Sequence, residues 1–290
     1  MLAMTKEAHT KATRTTARKV DPSAETMERI LVTPEIAQAW LDKNEGNRKV
    51  KTRHVEALAR DMTAGRFLYT ADPIRFDTDG RLIDGQHRLL ACVKAGVPFE
   101  TLVVYGLPPS VQSAIDTNAV RSPSDTLAMM GFHYTSPLAS AARLLHAEKI
   151  GHVAVTNVAV SKAEILDIIE RHKELPSSVN DVRHKRLPTG IPPAQIAVVV
   201  YVGRHLLRVP DVASTFLNVM VSGVPFYDGD AAHACRERLI RSAGGGTIMN
   251  QGARWRLIKH AWNLFSSGQK MQQIRTPQEA WFEGLDRKRI

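Results

Sequence analysis

Apolar and polar positions change rhythm part-way along the chain. Up to about residue 122, short alternating runs are mixed with helical stretches. Ile30-Leu31-Val32 reads as a strand. Thr33 then caps a helix with Pro34 in its first turn, running through Ile36, Ala37, Trp40 and Leu41. Val55, Leu58, Ala59 and Met62 share one face of a second helix. From Pro73 to Ile83, Ile74 and Phe76 alternate with polar residues, Asp79-Gly80 makes a two-residue turn, and Leu82-Ile83 begin a return strand. A third helix runs from Leu89 to Ala95 and stops at Gly96 and Pro98. Thr101 to Tyr105 is a continuous apolar strand, and Ser110 caps a short helix ending near Asp116.

Beyond Ser122-Pro123 almost only helical spacing remains. Helices are predicted at 123–130, 137–149, 161–173, 192–208, 211–221, 230–242 and 253–267, with a shorter one near 277–283. The pattern predicts an α+β chain of three parts. Residues 1–26 form a disordered basic arm, 27–122 an α/β domain with a small mixed sheet, and 123–290 an all-helical domain.

The junction between the return strand and the third helix reads Asp84-Gly85-Gln86-His87-Arg88. The start of a helix carries unpaired N–H groups and the positive end of the helix dipole. Glycine admits close approach to the backbone, and His87 and Arg88 add side-chain donors. The combination suits a phosphate or another anion. On residue chemistry alone, an ordinary Asp-Gly turn followed by a solvated His-Arg pair fits equally well.

Asp84-Gly85-Gln86-His87-Arg88-Leu89-Leu90-Ala91, behind Ile74 and Asp79-Gly80, resembles the signature of the ParB/sulfiredoxin-like superfamily, in the form of its DGQHR-type phage and plasmid members. The resemblance covers roughly residues 28–122 and takes in Asn47-Arg48, the helix from Arg53, Asp116 and Arg121. It implies a nucleotide, ATP or CTP, or a DNA phosphate held by Arg48, Gly85, Gln86, His87, Arg88, Asp116 and Arg121. Members of the superfamily include CTP-dependent DNA clamps, nucleotide hydrolases, nucleases, a small-molecule kinase branch and sulfiredoxin. Gln86 stands where sulfiredoxin carries its reactive Cys, which argues against reductase chemistry. If the chain hydrolyses a phosphoanhydride or phosphodiester bond, Asp84, His87, Arg88 and Glu56 are the candidate catalytic residues. The alternatives are a non-enzymatic DNA-binding or partition-type regulator and a kinase or other transferase.

Charge sharpens the choice of partner. The 39 Lys and Arg residues exceed the 29 Asp and Glu residues, for a net charge of +10. Within residues 1–20, five basic residues stand against one acid, so +6 remains outside those twenty residues. That excess points to DNA. Arg256 and Lys259, expected on the outer face of the 253–267 helix, and Arg254 on the same helix are candidate DNA contacts. So are Arg183, Lys185 and Arg186 in a basic stretch read as a phosphate-contact surface or an ordinary loop.

Asp72, Asp77, Asp79, Asp84 and Asp116 would permit a Mg2+ site if two of them converged, although Asp77 and Asp79 suit hairpin turn positions better. A homodimer is left equally open. Cys92 and Cys235 form no metal-ligand spacing, and a reduced cytoplasmic setting without membrane contact is the simplest expectation.

Overall fold

The structure, a computed structural model, describes residues 25–45, 47, 49–113, 115, 122–151, 159–245 and 249–290. It is a mixed α+β fold, with eleven α-helices and one four-stranded sheet among the described residues. Most of the expected basic arm, residues 1–24, lies outside them. The chain divides into two compact units. The first comprises the residues up to Val50 and Tyr69–Ile115. The second comprises Lys51–Leu68 and everything from Asp116 onward.

The first unit holds the sheet. Its strands are β1 (Thr26–Val32), β2 (Ile74–Asp77), β3 (Leu82–Asp84) and β4 (Phe99–Leu107), in spatial order β1-β4-β2-β3. β4 is antiparallel to β1 and parallel to β2, while β2 and β3 form an antiparallel hairpin. Asp77 makes the hairpin turn. Its Oδ1 accepts the backbone N–H groups of Asp79 (2.9 Å) and Arg81 (2.8 Å), so this carboxylate is spent on the turn. Helices α1 (Pro34–Leu41) and α3 (Gln86–Ala95) pack together. Thr33 caps α1 as expected, its Oγ1 accepting from Ile36 N at 3.3 Å. Ile74, Leu82, Leu89, Cys92 and Val103 form the buried centre. Trp40 meets Phe76 edge-on at 5.3 Å, and Tyr105 stacks on Phe76 at 5.2 Å. Burial pushes the Cys92 thiol up to about 11, which keeps it protonated and inert.

The second unit contains α2 (Thr52–Thr63), which the sequence pattern assigns to the first domain. Its anchor is Arg60, which donates to Glu164 Oε1 (2.7 Å), Glu164 Oε2 (3.2 Å) and the Ala159 carbonyl (2.6 Å). Burial pushes the Glu164 carboxyl up. The Arg60 and Ser161 hydrogen bonds, with the charges of His146 and Arg60, outweigh burial and hold it below the ordinary carboxylate range.

The remaining helices of this unit are α4 (Pro123–Met129), α5 (Thr135–Lys149), α6 (Lys162–Arg171), α7 (Leu175–His184), α8 (Pro193–Tyr201), α9 (Pro210–Ser222), α10 (Ala231–Ala243) and α11 (Gln251–Ser266). α7 carries Arg183 and has Pro176 in its first turn, where a missing N–H costs nothing. α8 ends in a π-helical turn, Val202–Leu206. The side of Gly203 faces Trp262, and an added Cβ would lie 2.5 Å from that ring. The helix expected at 277–283 is absent, and that segment is irregular. Among the described residues, no helix is long and apolar enough to cross a membrane.

Candidate functional site

Gly85 is the hinge of the signature turn. Its φ of 108° is rarely open to an L side chain, and an added Cβ would sit 2.2 Å from Ile74 Cδ1. Backbone shape and packing therefore both require glycine. β3 ends at Asp84, Gly85 is the N-cap of α3, and no side chain caps the helix there. Gln86 and His87 occupy the first turn and are buried, at 4% and 6% exposure. The sequence-predicted set Asp84 to Arg88 is thus contiguous at one strand-to-helix junction.

Arg88 does something the sequence does not suggest. Its guanidinium donates to the backbone carbonyls of Asp72 (2.5 Å) and Pro73 (2.6 Å). The Asp72 carbonyl also accepts from Thr101 Oγ1 at 3.0 Å. The entry to β2 is thereby clamped between α3 and β4, just after Ala71, which sits at a φ of 57°. Asp84 is similarly committed. Its Oδ2 lies 2.5 Å from Arg75 NH1 and 3.5 Å from Arg88 NH2. Arg75 and Asp84 are cross-strand partners in the hairpin register, a relation visible only once that register is known. Arg75 and Arg88 share the Asp84 carboxylate, and Arg88 also lies 3.6 Å from the Asp72 carboxylate, so the side-chain charges at the turn balance.

Beside it runs a chain of side-chain amides. Asn44 Nδ2 donates to Gln86 Oε1 (3.3 Å), and Asn47 Nδ2 donates to both Asn44 Oδ1 and the Leu82 carbonyl (2.5 Å each). Gln112 Nε2 donates to Asn47 Oδ1 at 3.1 Å. A backbone bond from Leu82 N to the Lys43 carbonyl (3.0 Å) completes the attachment of the 43–47 loop to β3. This network, with Asn44, Arg75 and Gln112, escapes motif reading because its members are far apart in sequence and individually ordinary.

The other expected phosphate ligands, Arg48, Asp116 and Arg121, lie outside the described residues. Glu56 is on α2, within the helical unit, and is half-buried. No group of three or more His, Cys, Asp or Glu suited to a metal occurs among the described residues.

The candidate DNA contacts separate into two kinds. Arg183, Lys185 and Arg186 are exposed at the end of α7 and just after it. Lys185 Nζ donates to Asn218 Oδ1 at 3.0 Å. Lys259, expected on an outer face, is instead wholly buried. Its Nζ lies 2.5 Å from Glu148 Oε1, which also accepts Trp255 Nε1–H at 2.8 Å. The ammonium sits 5.1 Å from the centres of both the Trp255 and Trp281 rings. Burial lowers the Lys259 ammonium's pKa, opposed by Glu148. The reason for the difference is that α11 is covered on nearly every side, so its amphipathic pattern does not mark a solvent face. Arg256 is tied through Nε to the Pro277 carbonyl at 3.0 Å, and Arg254 is half-buried.

No protein-family model, curated protein or solved structure matches the chain. The resemblance to the ParB/sulfiredoxin-like superfamily therefore rests on the motif residues themselves.

Proposed function

We propose that this chain binds phosphate groups of a nucleotide, ATP or CTP, or of DNA, at Gly85 to Arg88, in phage or plasmid DNA metabolism. The observation that carries the reading is Gly85 at a φ of 108°, opening α3 without a capping side chain beside Arg75 and Arg88. A helix start of this kind favours an anion through its dipole and backbone donors. The basic excess and the exposed Arg183, Lys185 and Arg186 support DNA as the partner.

Arg88 spends two donors on backbone carbonyls. In this reading Arg88 shapes the turn, and His87 with the backbone meets the ligand.

Calorimetric titration with ATP, CTP and 5′-phosphorylated DNA tests the assignment. Saturable binding by the wild type that weakens at least tenfold in His87→Ala, with the fold retained by circular dichroism, is the expected result. Equal affinity in both proteins removes the site from the signature turn.

A further inference from the structure

Within the helical unit, the residue before α5 meets the last turn of α7. Tyr134 faces the His184 ring edge-on, with centres 5.7 Å apart at 86°. The Arg183 guanidinium lies 5.6 Å from the Tyr134 ring centre. Lys185 and Arg186 follow without a break, and all five of these residues are exposed. The acid nearest this basic run in sequence, Asp181, is paired with Arg204 at 2.5 Å. Neither 131–136 nor 182–190 contains another. The result is an aromatic ring set among cations on one surface.

The backbone sets this surface apart. Tyr134 and Arg186 adopt φ values of 49° and 51°, left-handed conformations that L residues seldom take. Among the described residues four non-glycine positions do so, and two of them are here. Tyr134 is also the N-cap of α5, a position that favours Ser, Thr, Asp or Asn, and its side chain makes no capping bond. It is 38% exposed. Neither capping nor burial therefore accounts for a tyrosine at this point. Lys185 spends one of its three donors on Asn218.

The ring and the cations suit different parts of one ligand. Lys and Arg side chains hold phosphates, and an exposed aromatic ring takes the face of a base. In a duplex the base faces are closed against one another, so the ring can serve only an unpaired strand. An acidic peptide would satisfy the cations and leave the ring without a stacking partner. We infer that this surface binds single-stranded DNA, with one base stacked on Tyr134 and the neighbouring phosphates on Arg183, Lys185 and Arg186. Arg183, within cation–π reach of the ring, joins the two contacts. The basic excess outside residues 1–20 draws the strand in from a distance. The surface lies wholly within the helical unit, and it shares with the function proposed above only the choice of DNA.

The test uses the full chain and fluorescein-labelled strands without terminal phosphates, read by anisotropy at several salt concentrations. The probes are an oligothymidylate of about a dozen nucleotides, within the site size of such surfaces, an abasic strand of equal length, the duplex with oligodeoxyadenylate, and oligouridylate RNA. The wild type should hold oligothymidylate about tenfold more tightly than the abasic strand, the scale of one base stack. Tyr134→Ala keeps a Cβ on the same backbone and removes only the ring. It should lower oligothymidylate to the abasic level and leave duplex affinity unchanged, while Tyr134→Phe binds like the wild type. Arg183→Ala with Arg186→Ala should flatten the log–log salt slope by about 0.7 per removed charge. Unchanged oligothymidylate affinity in Tyr134→Ala, or a loss that Tyr134→Phe shares, overturns the stacking role. An unchanged salt slope overturns the phosphate contacts. Tighter binding of duplex or RNA, or equal displacement by polyglutamate, overturns the choice of single-stranded DNA. His87→Ala should leave the ratio of oligothymidylate to abasic affinity as it is, so this surface and the signature turn stand or fall separately.

Discussion

Replacing Gly85 by Ala tests how tightly the signature turn is specified. Two costs can be worked out separately. Forcing an L side chain to a φ of 108° costs about 1–3 kcal/mol of backbone strain. Placing a Cβ 2.2 Å from Ile74 Cδ1 forces that wholly buried side chain to move, for about 1–3 kcal/mol of overpacking. Together the single variant should lose about 2–6 kcal/mol. The two costs respond differently to a second change. Ile74→Val deletes the atom that clashes and leaves neighbours at 3.4 Å, ordinary contact. On its own it should cost about 0.5–1.5 kcal/mol. In the double variant the overpacking vanishes and the strain stays, so the pair should be less destabilised than the sum by about 1–3 kcal/mol. Urea dependence of amide exchange in β2 and β4 reads this unit apart from the helical one. A loss below about 0.5 kcal/mol in Gly85→Ala, or strict additivity in the double variant, would refute the packing argument.

Arg88→Ala should destabilise the β2 entry by about 1.5–3 kcal/mol, the scale of a charge-assisted hydrogen bond, seen as faster amide exchange around Ile74 even without ligand. Lys259→Ala leaves Glu148 buried without its counter-charge and should cost about 3–5 kcal/mol in urea unfolding; Lys259→Met with Glu148→Leu should recover most of it. Acid should weaken the helical unit. Burial lowers the pKa of His146 and His172, and net hydrogen bonding and charge lower that of Glu164. In each case the unfolded chain takes up protons first. Stability is then full above about pH 6.5, the unfolded histidine value, and falls as pH drops toward the folded values; a thermal midpoint flat from pH 7 to 5 would contradict this.

The features legible in the sequence are those decided by neighbours along the chain. Thr33-Pro34 opens α1, Asp79-Gly80 turns the hairpin, and Gly85 and Gly96 bracket α3, because caps and turns depend on a few adjacent residues. Trp255, Ile258, Trp262 and Phe265 recur at helical spacing, which by itself predicts the buried face they form. What escaped depends on distant partners. α2 groups with the helical unit through Arg60 and Glu164, 104 residues apart. Lys259 is buried because Glu148, Trp255 and Trp281 surround it, and no periodicity encodes that cage. At the signature turn, the motif marks the right five residues but not their division of labour. Arg88 grips backbone carbonyls only because the hairpin brings Asp72 and Pro73 beside α3.

The most direct measurement of the central claim is a titration of the 15N-labelled protein with ATP, CTP and a 5′-phosphorylated oligonucleotide, read as amide chemical-shift changes. Phosphate binding at the signature turn predicts saturable shifts of the Gly85, Gln86 and His87 amides, the donors at the start of α3. Saturable shifts confined to other residues, or none at these three amides with any of the ligands, would contradict it.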